Sequence, residues 1–273
     1  MFPNENTAYV ARVADQPSST GSLIYNTIYR ELGLNALYLQ MNSIPAMELA
    51  TGIRSLRLRG CTVVGVNARD VLPFLDTLDV HAERAGAVNT IVNDSGRLIG
   101  YKTDGPALLD ALAGATALKG KDIVVLGAGK LVKELGLVLD GTGVRSVTIY
   151  NRNKEKGLDR CRETGFSYGG EIQHLTDAAG DIFVNASDVG AAWCKVSDLF
   201  PLPFIDRFEV IMDVTFKPTT TSLQENAASL GKIVVPGVQM FALQGKRQID
   251  LYFGAKASET RLRELIRKEF EGA

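Results

Sequence analysis

The stretch KDIVVLGAGKLV, Lys121 to Val132, decides the reading of this chain. Four apolar residues, Ile123 to Leu126, run straight into Gly127, Ala128 and Gly129, and an amphipathic segment follows from Lys130 to Leu139. That order spells strand, glycine turn, helix. An uninterrupted apolar run of this kind marks a parallel strand covered on both faces. The glycines let the chain turn tightly and let a diphosphate come close to the backbone. The free N–H groups and positive end of the next helix then attract the phosphate charge. The third position of the G-x-G-x-x-G/A pattern is Val132, larger than the usual residue at a close helix–strand contact. Similar turns occur in α/β proteins that bind no nucleotide, so the flanking sequence has to decide.

Downstream, Ser146 to Tyr150 supplies the second strand of a βαβ unit, ahead of a charged helix over 153–163. In a dinucleotide domain the end of this strand meets the adenosine ribose. A carboxylate there suits the 2′-hydroxyl of NAD, whereas an arginine suits the 2′-phosphate of NADP. Here the strand ends Tyr150-Asn151-Arg152-Asn153, with Lys154 and Lys156 beyond and no carboxylate before Glu155. This chemistry favours NADP over NAD. A solvated helix start is the alternative reading of the same cations. Further buried strands are expected at 181–185, 210–214 and 232–235, the last closed by Pro236-Gly237. Two helices, 238–253 and 258–270, end the chain with no strand after them, so they either cap the second sheet or cross back to the first.

Upstream, strands are expected at 7–13, 36–41 and 61–66. A hydroxyl-rich loop, Ser18 to Ser22, precedes a helix that ends at Gly33. Ser43 is placed to cap a second helix running to about Leu56, and 71–78 suggests a short helix with Pro73 in its first turn. Segments 87–92 and 97–103 flank Asn93-Asp94-Ser95-Gly96 as a hairpin. Asp104 then stands as the N-cap of a helix over 106–112, with Pro106 in its first turn. The chain thus reads as two α/β regions, 1–105 and 106–237.

With 45% hydrophobic and 22% charged residues in 273, the composition is that of an ordinary soluble protein. A net charge of −1 favours neither nucleic acid nor an anionic membrane as partner. No segment has the roughly 20 apolar residues of a membrane span, and the polar N-terminus lacks a signal-peptide core. Cys61, Cys161 and Cys194 lie far apart with no metal spacing, as reduced thiols of a cytoplasmic protein would. His81 and His174 match no triad or ligand spacing, so no metal is expected. Asn185-Ala186-Ser187 reads as a chance glycosylation triplet, and Trp193, Met240 and Phe241 as packing groups.

Taken together, these residues resemble the shikimate dehydrogenase family, and within it the shikimate-dehydrogenase-like branch, over nearly the full length. Ser19 to Asn26 with Glu31-Leu32-Gly33-Leu34 resembles the S-x-S-P-x-x-H-N opening. Ala87 to Thr90 matches the A-V-N-T element, and Thr103-Asp104 the end of N-T-D. Gly127 to Gly129 matches the cofactor turn, Asn151-Arg152 the NADP-reading pair, and Asn185 to Gly190 the N-A-T/S-x-x-G element. Asp213, Val214, Pro218, Thr221 and Leu223 fit D-V-x-Y-x-P-x-x-T-x-L, and Gly237, Met240 and Gln244 fit the last helix.

The resemblance implies an N-terminal, mainly parallel α/β substrate domain and a Rossmann-type NADP domain, with the C-terminal helices (238–273) returning to the first. It also implies oxidation of a ring alcohol of a shikimate-pathway type of substrate. The cofactor positions it carries over are Gly127, Ala128, Gly129, Lys130, Asn151, Arg152, Asn185, Ser187 and Gly237. The substrate positions are Ser19, Gly21, Asn89, Asp104 and Gln244. The family's lysine, which stabilises charge on the reacting oxygen beside an aspartate, falls at Ala68. Val64 replaces a hydroxyl, Val66 a proline, Gly21 a serine, Tyr25 a histidine and Phe216 a tyrosine. These changes cluster on the substrate side and remove hydrogen-bond donors, which a site built for hydroxyls tolerates badly. Lys102 lies two residues before Asp104. If the strand persists to Asp104, the two share a face and Lys102 restores the missing cation. A solvent-facing Lys102 is the alternative, and Arg69 a second candidate.

The sequence therefore points to an NADP-dependent oxidoreductase of a small cyclic hydroxy or amino acid, with weak or altered shikimate activity. The alternatives are a non-catalytic ligand-binding or regulatory relative, or an enzyme of another reaction type in the same site. Monomer and homodimer are both compatible.

Overall fold

The structure, a computed structural model, describes residues 3–16, 19–65, 67–194 and 199–271. The chain divides into two compact units, Met1–Thr103 with Gln244–Ala273, and Asp104–Leu243.

The first unit contains β1 (Ala8–Ala14), α1 (Ser19–Glu31), β2 (Ala36–Asn42), α2 (Ala46–Ser55), β3 (Gly60–Val63), α3 (Asn67–Asp70), β4 (Thr77–Leu78), α4 (Val80–Ala85), β5 (Thr90–Asp94) and β6 (Arg97–Tyr101). Its sheet has the order β2-β1-β3-β5-β6-β4. β2, β1 and β3 are parallel, β5 runs against both β3 and β6, and β4 is parallel to β6. Alternation along the strands separates the two faces. Ala11, Val13, Cys61, Val63 and Ile91 pack against Leu49 and Ile53 of α2. Burying each of the larger side chains contributes about 1.5–3 kcal/mol. Burial also pushes the Cys61 thiol up to about 12, which leaves it protonated and inert at neutral pH.

The second unit contains α5 (Asp104–Ala115), β7 (Asp122–Leu126), α6 (Lys130–Leu139), β8 (Ser146–Tyr150), α7 (Lys154–Thr164), β9 (Ser167–Gly170), β10 (Ile182–Asn185), α8 (Leu202–Ile205), β11 (Val210–Asp213), α9 (Ser222–Ser229) and β12 (Ile233–Pro236). Its strands, in the order β12-β11-β10-β7-β8-β9, are all parallel. This is the doubly wound order, which reverses direction between β7 and β10. α10 (Gly237–Phe253) begins in this unit, and from Gln244 it belongs to the first. α11 (Glu259–Glu271) follows there and packs on α1. Val132 is fully buried among Ile123, Val125 and Leu135, so the larger residue in the glycine pattern is absorbed by the core.

Several sequence expectations need correction. The helix after β1 starts at Ser19, so Ser19 to Ser22 form its first turn instead of a loop; Ser18 lies outside the described residues. Ser43 caps nothing: Pro45 precedes α2, because its fixed φ suits a helix entry. The third strand stops at Val63, and Val66 lies outside the described residues. The helix expected over 71–78 is a single 3-10 turn, Leu72–Phe74, followed by β4, whose main chain joins β6. β6 ends at Tyr101 and Asp104 is the first residue of α5. The strand therefore does not persist from Lys102 to Asp104, and the alternation that would put them on one face does not apply.

Candidate active site

The topological switch between β7 and β10 opens a cavity of about 440 Å³ in the second unit. Leu126 to Leu131, Asn151, Arg152, Lys156, Ala186 to Val189, Trp193 and Phe216 line it. Gly127 has φ +118°, and a Cβ there would lie 2.5 Å from the Ala186 carbonyl oxygen. The turn thus needs glycine for both conformation and space. Gly129 differs: its φ is −75°, and a Cβ would meet nothing within 4 Å. It sits at the N-cap of α6, which no side chain caps, leaving the first-turn N–H groups to solvent or ligand. We expect Gly129→Ala to cost only about 0.5–1 kcal/mol, the scale of a weakened cap. It should nonetheless weaken nucleotide binding about tenfold, because its methyl occupies the approach to those N–H groups. Thermal unfolding and nucleotide titration of one preparation check the two effects separately.

Lys130 and Arg152 are exposed, and neither makes a side-chain hydrogen bond or ion pair among the described residues. Asn151 donates from Nδ2 to the Asn153 carbonyl at 2.7 Å, and Asn153 in turn caps α7 by accepting from Lys156 N. The strand end is therefore pinned while its cations are left outward.

Beneath the cavity lies a buried polar cluster. Asn185, fully buried, donates from Nδ2 to the Val189 carbonyl at 2.8 Å and to Asp213 Oδ1 at 3.0 Å. Its Oδ1 accepts from Ser187 Oγ at 2.7 Å. Asp213 also accepts from Thr215 N at 3.1 Å and from Thr221 Oγ1 at 2.5 Å. Burial raises the Asp213 carboxyl above its ordinary value, against the opposing effect of those hydrogen bonds. Asn185 and Ser187 thus brace the loop, and Ser187's hydroxyl is committed to it. Gly237 lets α10 start against the Val214 carbonyl, 2.5 Å from where a Cβ would stand.

In the first unit, Asn89 and Thr103 are buried and exchange hydrogen bonds: Asn89 Nδ2 to Thr103 Oγ1 at 2.9 Å, and Thr103 N to Asn89 Oδ1 at 3.0 Å. Ser19 is exposed at the start of α1, Gly21 is half-buried one position past Thr20, and Gln244 is half-buried on α10. Lys102 N donates to Asp79 Oδ1 at 3.3 Å. Ala68 lies in α3 and its carbonyl accepts from Val88 N.

Sequence reasoning missed several participants. Gln248, one turn beyond Gln244, is buried; it accepts from the Tyr25 hydroxyl and donates to Thr90 Oγ1 at 2.9 Å. Thr90 Oγ1 donates in turn to Asn89 Oδ1 at 3.0 Å. Tyr252, a further turn on, meets Thr62 Oγ1 at 3.0 Å. The spacing Gln244, Gln248, Tyr252 puts them on one helix face, which was the available signal. Arg160 of α7 donates to the Ala128 carbonyl at 3.3 Å and steadies the glycine turn; nothing in the local motif announces it.

The order of strands, the glycine turn at the switch and the uncapped α6 define a Rossmann-type unit, and the other unit is a mixed, mainly parallel α/β unit. Residues 16–91 match the model of the shikimate dehydrogenase substrate binding domain. A shikimate dehydrogenase-like protein of Haemophilus influenzae is 31% identical over 258 residues, covering 94% of each chain. A shikimate dehydrogenase (NADP(+)) of Pyrococcus abyssi is 30% identical, covering 86% of this chain and 88% of its own. A solved shikimate 5-dehydrogenase-like protein superposes with a TM-score of 0.90 at 29% identity, over 98% of this chain and 99% of the other. The chain belongs to the shikimate dehydrogenase family.

Proposed function

We propose that this chain is an NADP-dependent alcohol dehydrogenase of the shikimate/quinate type, acting on a small cyclic hydroxy or amino acid with weak or altered shikimate turnover. The observation that carries this reading is the cavity at the β7/β10 switch, where Gly127 to Gly129 meet the outward-facing cations Lys130 and Arg152. Those residues fit a dinucleotide. The open space over Gly129 admits the diphosphate to the first turn of α6, and Arg152 suits a 2′-phosphate better than a 2′-hydroxyl. The P. abyssi relative carries NADP(+) in its name. A bound NADP would supply the nicotinamide as the acceptor for the hydride of the alcohol. The first unit, as the substrate domain, orients the acid through Asn89, Gln244 and the first turn of α1. Asp104 takes the hydroxyl proton, and Lys102, just past the end of β6, is the candidate cation for the oxygen.

A second reading is a ligand-binding relative without turnover, suggested by the resemblance's alignment of Ala68 with the family lysine. Trp193 is the only tryptophan, 61% exposed, and lines the cavity, so its fluorescence reports nucleotide binding directly. We expect NADP(H) to quench it at micromolar concentration. Arg152→Ala should weaken NADP(H) at least about tenfold and NAD(H) little, as loss of a charge-assisted contact predicts. A panel of cyclic hydroxy acids with NADP then decides between enzyme and binder. Lys102→Ala with unchanged turnover removes Lys102 from the mechanism, and failure of both nucleotides to bind at millimolar level removes the dehydrogenase reading.

A further inference from the structure

Glu134 is a carboxylate set into an apolar contact. It is buried on α6, whose Val132, Leu135 and Leu139 share a core with Ala107, Leu108 and Ala111 of α5. A carboxyl group taken out of water is costly unless polar or positive groups meet it. What lies against Glu134 is the beginning of α5. A Cβ at Gly105 would stand 3.4 Å from Glu134 Oε2, 3.5 Å from the Glu134 carbonyl oxygen and 2.8 Å from Val138 Cγ1. Gly105 is buried, and its lack of a side chain lets the two helices come this close. It is the second residue of α5, directly after Asp104. The first N–H groups of a helix have no partner within it, and this end carries a partial positive charge. A carboxylate oxygen against that turn stabilises the helix start and fixes where it lies.

The same face of α6 leads to the cavity. Lys130, four residues before Glu134 and so about 6 Å up the helix axis, lines it. Both helices belong to the second unit. α6 thus carries the proposed diphosphate site at its N-terminus and the seat of Asp104 one turn further on. Taking a hydride and a proton from one alcohol needs the base and the nicotinamide in a fixed relation. A displacement of about 1 Å can lower the rate about 100-fold.

We propose that Glu134 is a positioning residue, which holds the first turn of α5, and with it Asp104, at a set distance from the glycine turn. The effect on turnover rests on the dehydrogenase reading above; the hold on α5 does not. Three variants test it. Glu134→Ala removes the carboxylate, and Glu134→Gln keeps its shape and one acceptor oxygen. Leu135→Ala removes a buried apolar group of the same core and leaves Glu134 in place. Native-state hydrogen exchange at the amides of Gly105, Ala107 and Leu108 reads the hold directly. It should speed up about tenfold in Glu134→Ala and about threefold in Glu134→Gln, with the amides of 135–139 unchanged. Leu135→Ala should lower the urea midpoint without singling out the start of α5. Where a substrate turns over, Glu134→Ala should lower kcat about 10- to 100-fold, with KM and the NADP(H) quenching of Trp193 little changed. Glu134→Gln should recover most of that rate. Exchange at the start of α5 equal to wild type in either Glu134 variant overturns the proposal, so Glu134→Gln suffices if Glu134→Ala does not fold. An unchanged kcat in Glu134→Ala overturns it too, as does the same selective kcat loss in Leu135→Ala. Selectively faster exchange in a protein that turns over no ring alcohol keeps the hold of Glu134 on Asp104 and sinks the dehydrogenase reading.

Discussion

Gly127→Ala should abolish nucleotide binding, weakening it about 100-fold or more, and destabilise the second unit by about 3 kcal/mol. Two costs add at this position. An alanine at φ +118° sits outside the conformations open to L-residues, and its Cβ would press on backbone atoms, 2.5 Å from the Ala186 oxygen and 2.9 Å from the Ala186 carbonyl carbon. A flexible side chain could yield; a carbonyl at the end of β10 cannot move without shifting Asn185 and Ser187. The turn would open where the proposed diphosphate site lies, so binding and stability fall together. Urea unfolding beside Trp193 fluorescence titration measures both. A variant with wild-type midpoint and wild-type affinity would contradict the steric argument. The comparison with Gly129→Ala is informative, since that neighbour has room for a methyl and a permitted backbone.

Asp213→Ala should be comparably damaging, at about 3 kcal/mol or more, because three buried donors lose their acceptor together. Thr215 N, Asn185 Nδ2 and Thr221 Oγ1 all converge on that carboxylate. Asp213→Asn keeps the shape and two acceptor contacts, and should cost about 1 kcal/mol, the net worth of one hydrogen bond. The pair also separates in pH. Burial holds the folded carboxyl above its ordinary value of 3.8. The folded state therefore keeps its proton at pH values where the unfolded chain has lost it. Wild type gains stability from this group as pH falls through the raised value toward 3.8, and carries a constant penalty above that window. The amide introduced by Asp213→Asn cannot titrate, so the stability difference between the variant and wild type should move in favour of the variant as pH rises through the window. Urea midpoints of both proteins between about pH 4 and 8 check the sign, and parallel curves would refute it.

Much of the second unit was legible in the sequence because its strands are buried on both faces and read as plain apolar runs. Lys121 to Val132 gave strand, turn and helix to within a residue. β9 escaped because Ser167-Tyr168-Gly169-Gly170 has neither the apolar run nor the branching of a strand; it forms only as an edge on β8. At the start of the second unit the error at Asp104 has one cause: its side chain suits a cap and a first turn alike, and the strand before it stops at Tyr101. The glycine-turn residues and Arg152 could be listed from spacing. Gln248 could not, because its significance lies in the partners it meets only in the folded unit, the Tyr25 hydroxyl and Thr90 Oγ1.

The cavity of the second unit divides its tasks unequally. Gly127, Asn185 and Asp213 are locked into backbone contacts and buried bonds, so change there is filtered by folding. Lys130 and Arg152 project from the turn and the strand end without bonding to the described remainder of the unit, and exposed substitutions of this kind usually shift stability by less than about 0.5 kcal/mol. On the proposed dinucleotide reading, coenzyme preference can therefore drift with little penalty in stability while the glycine turn stays fixed. A lineage built on this scaffold would then have a readily adjustable redox partner on an architecture that resists adjustment.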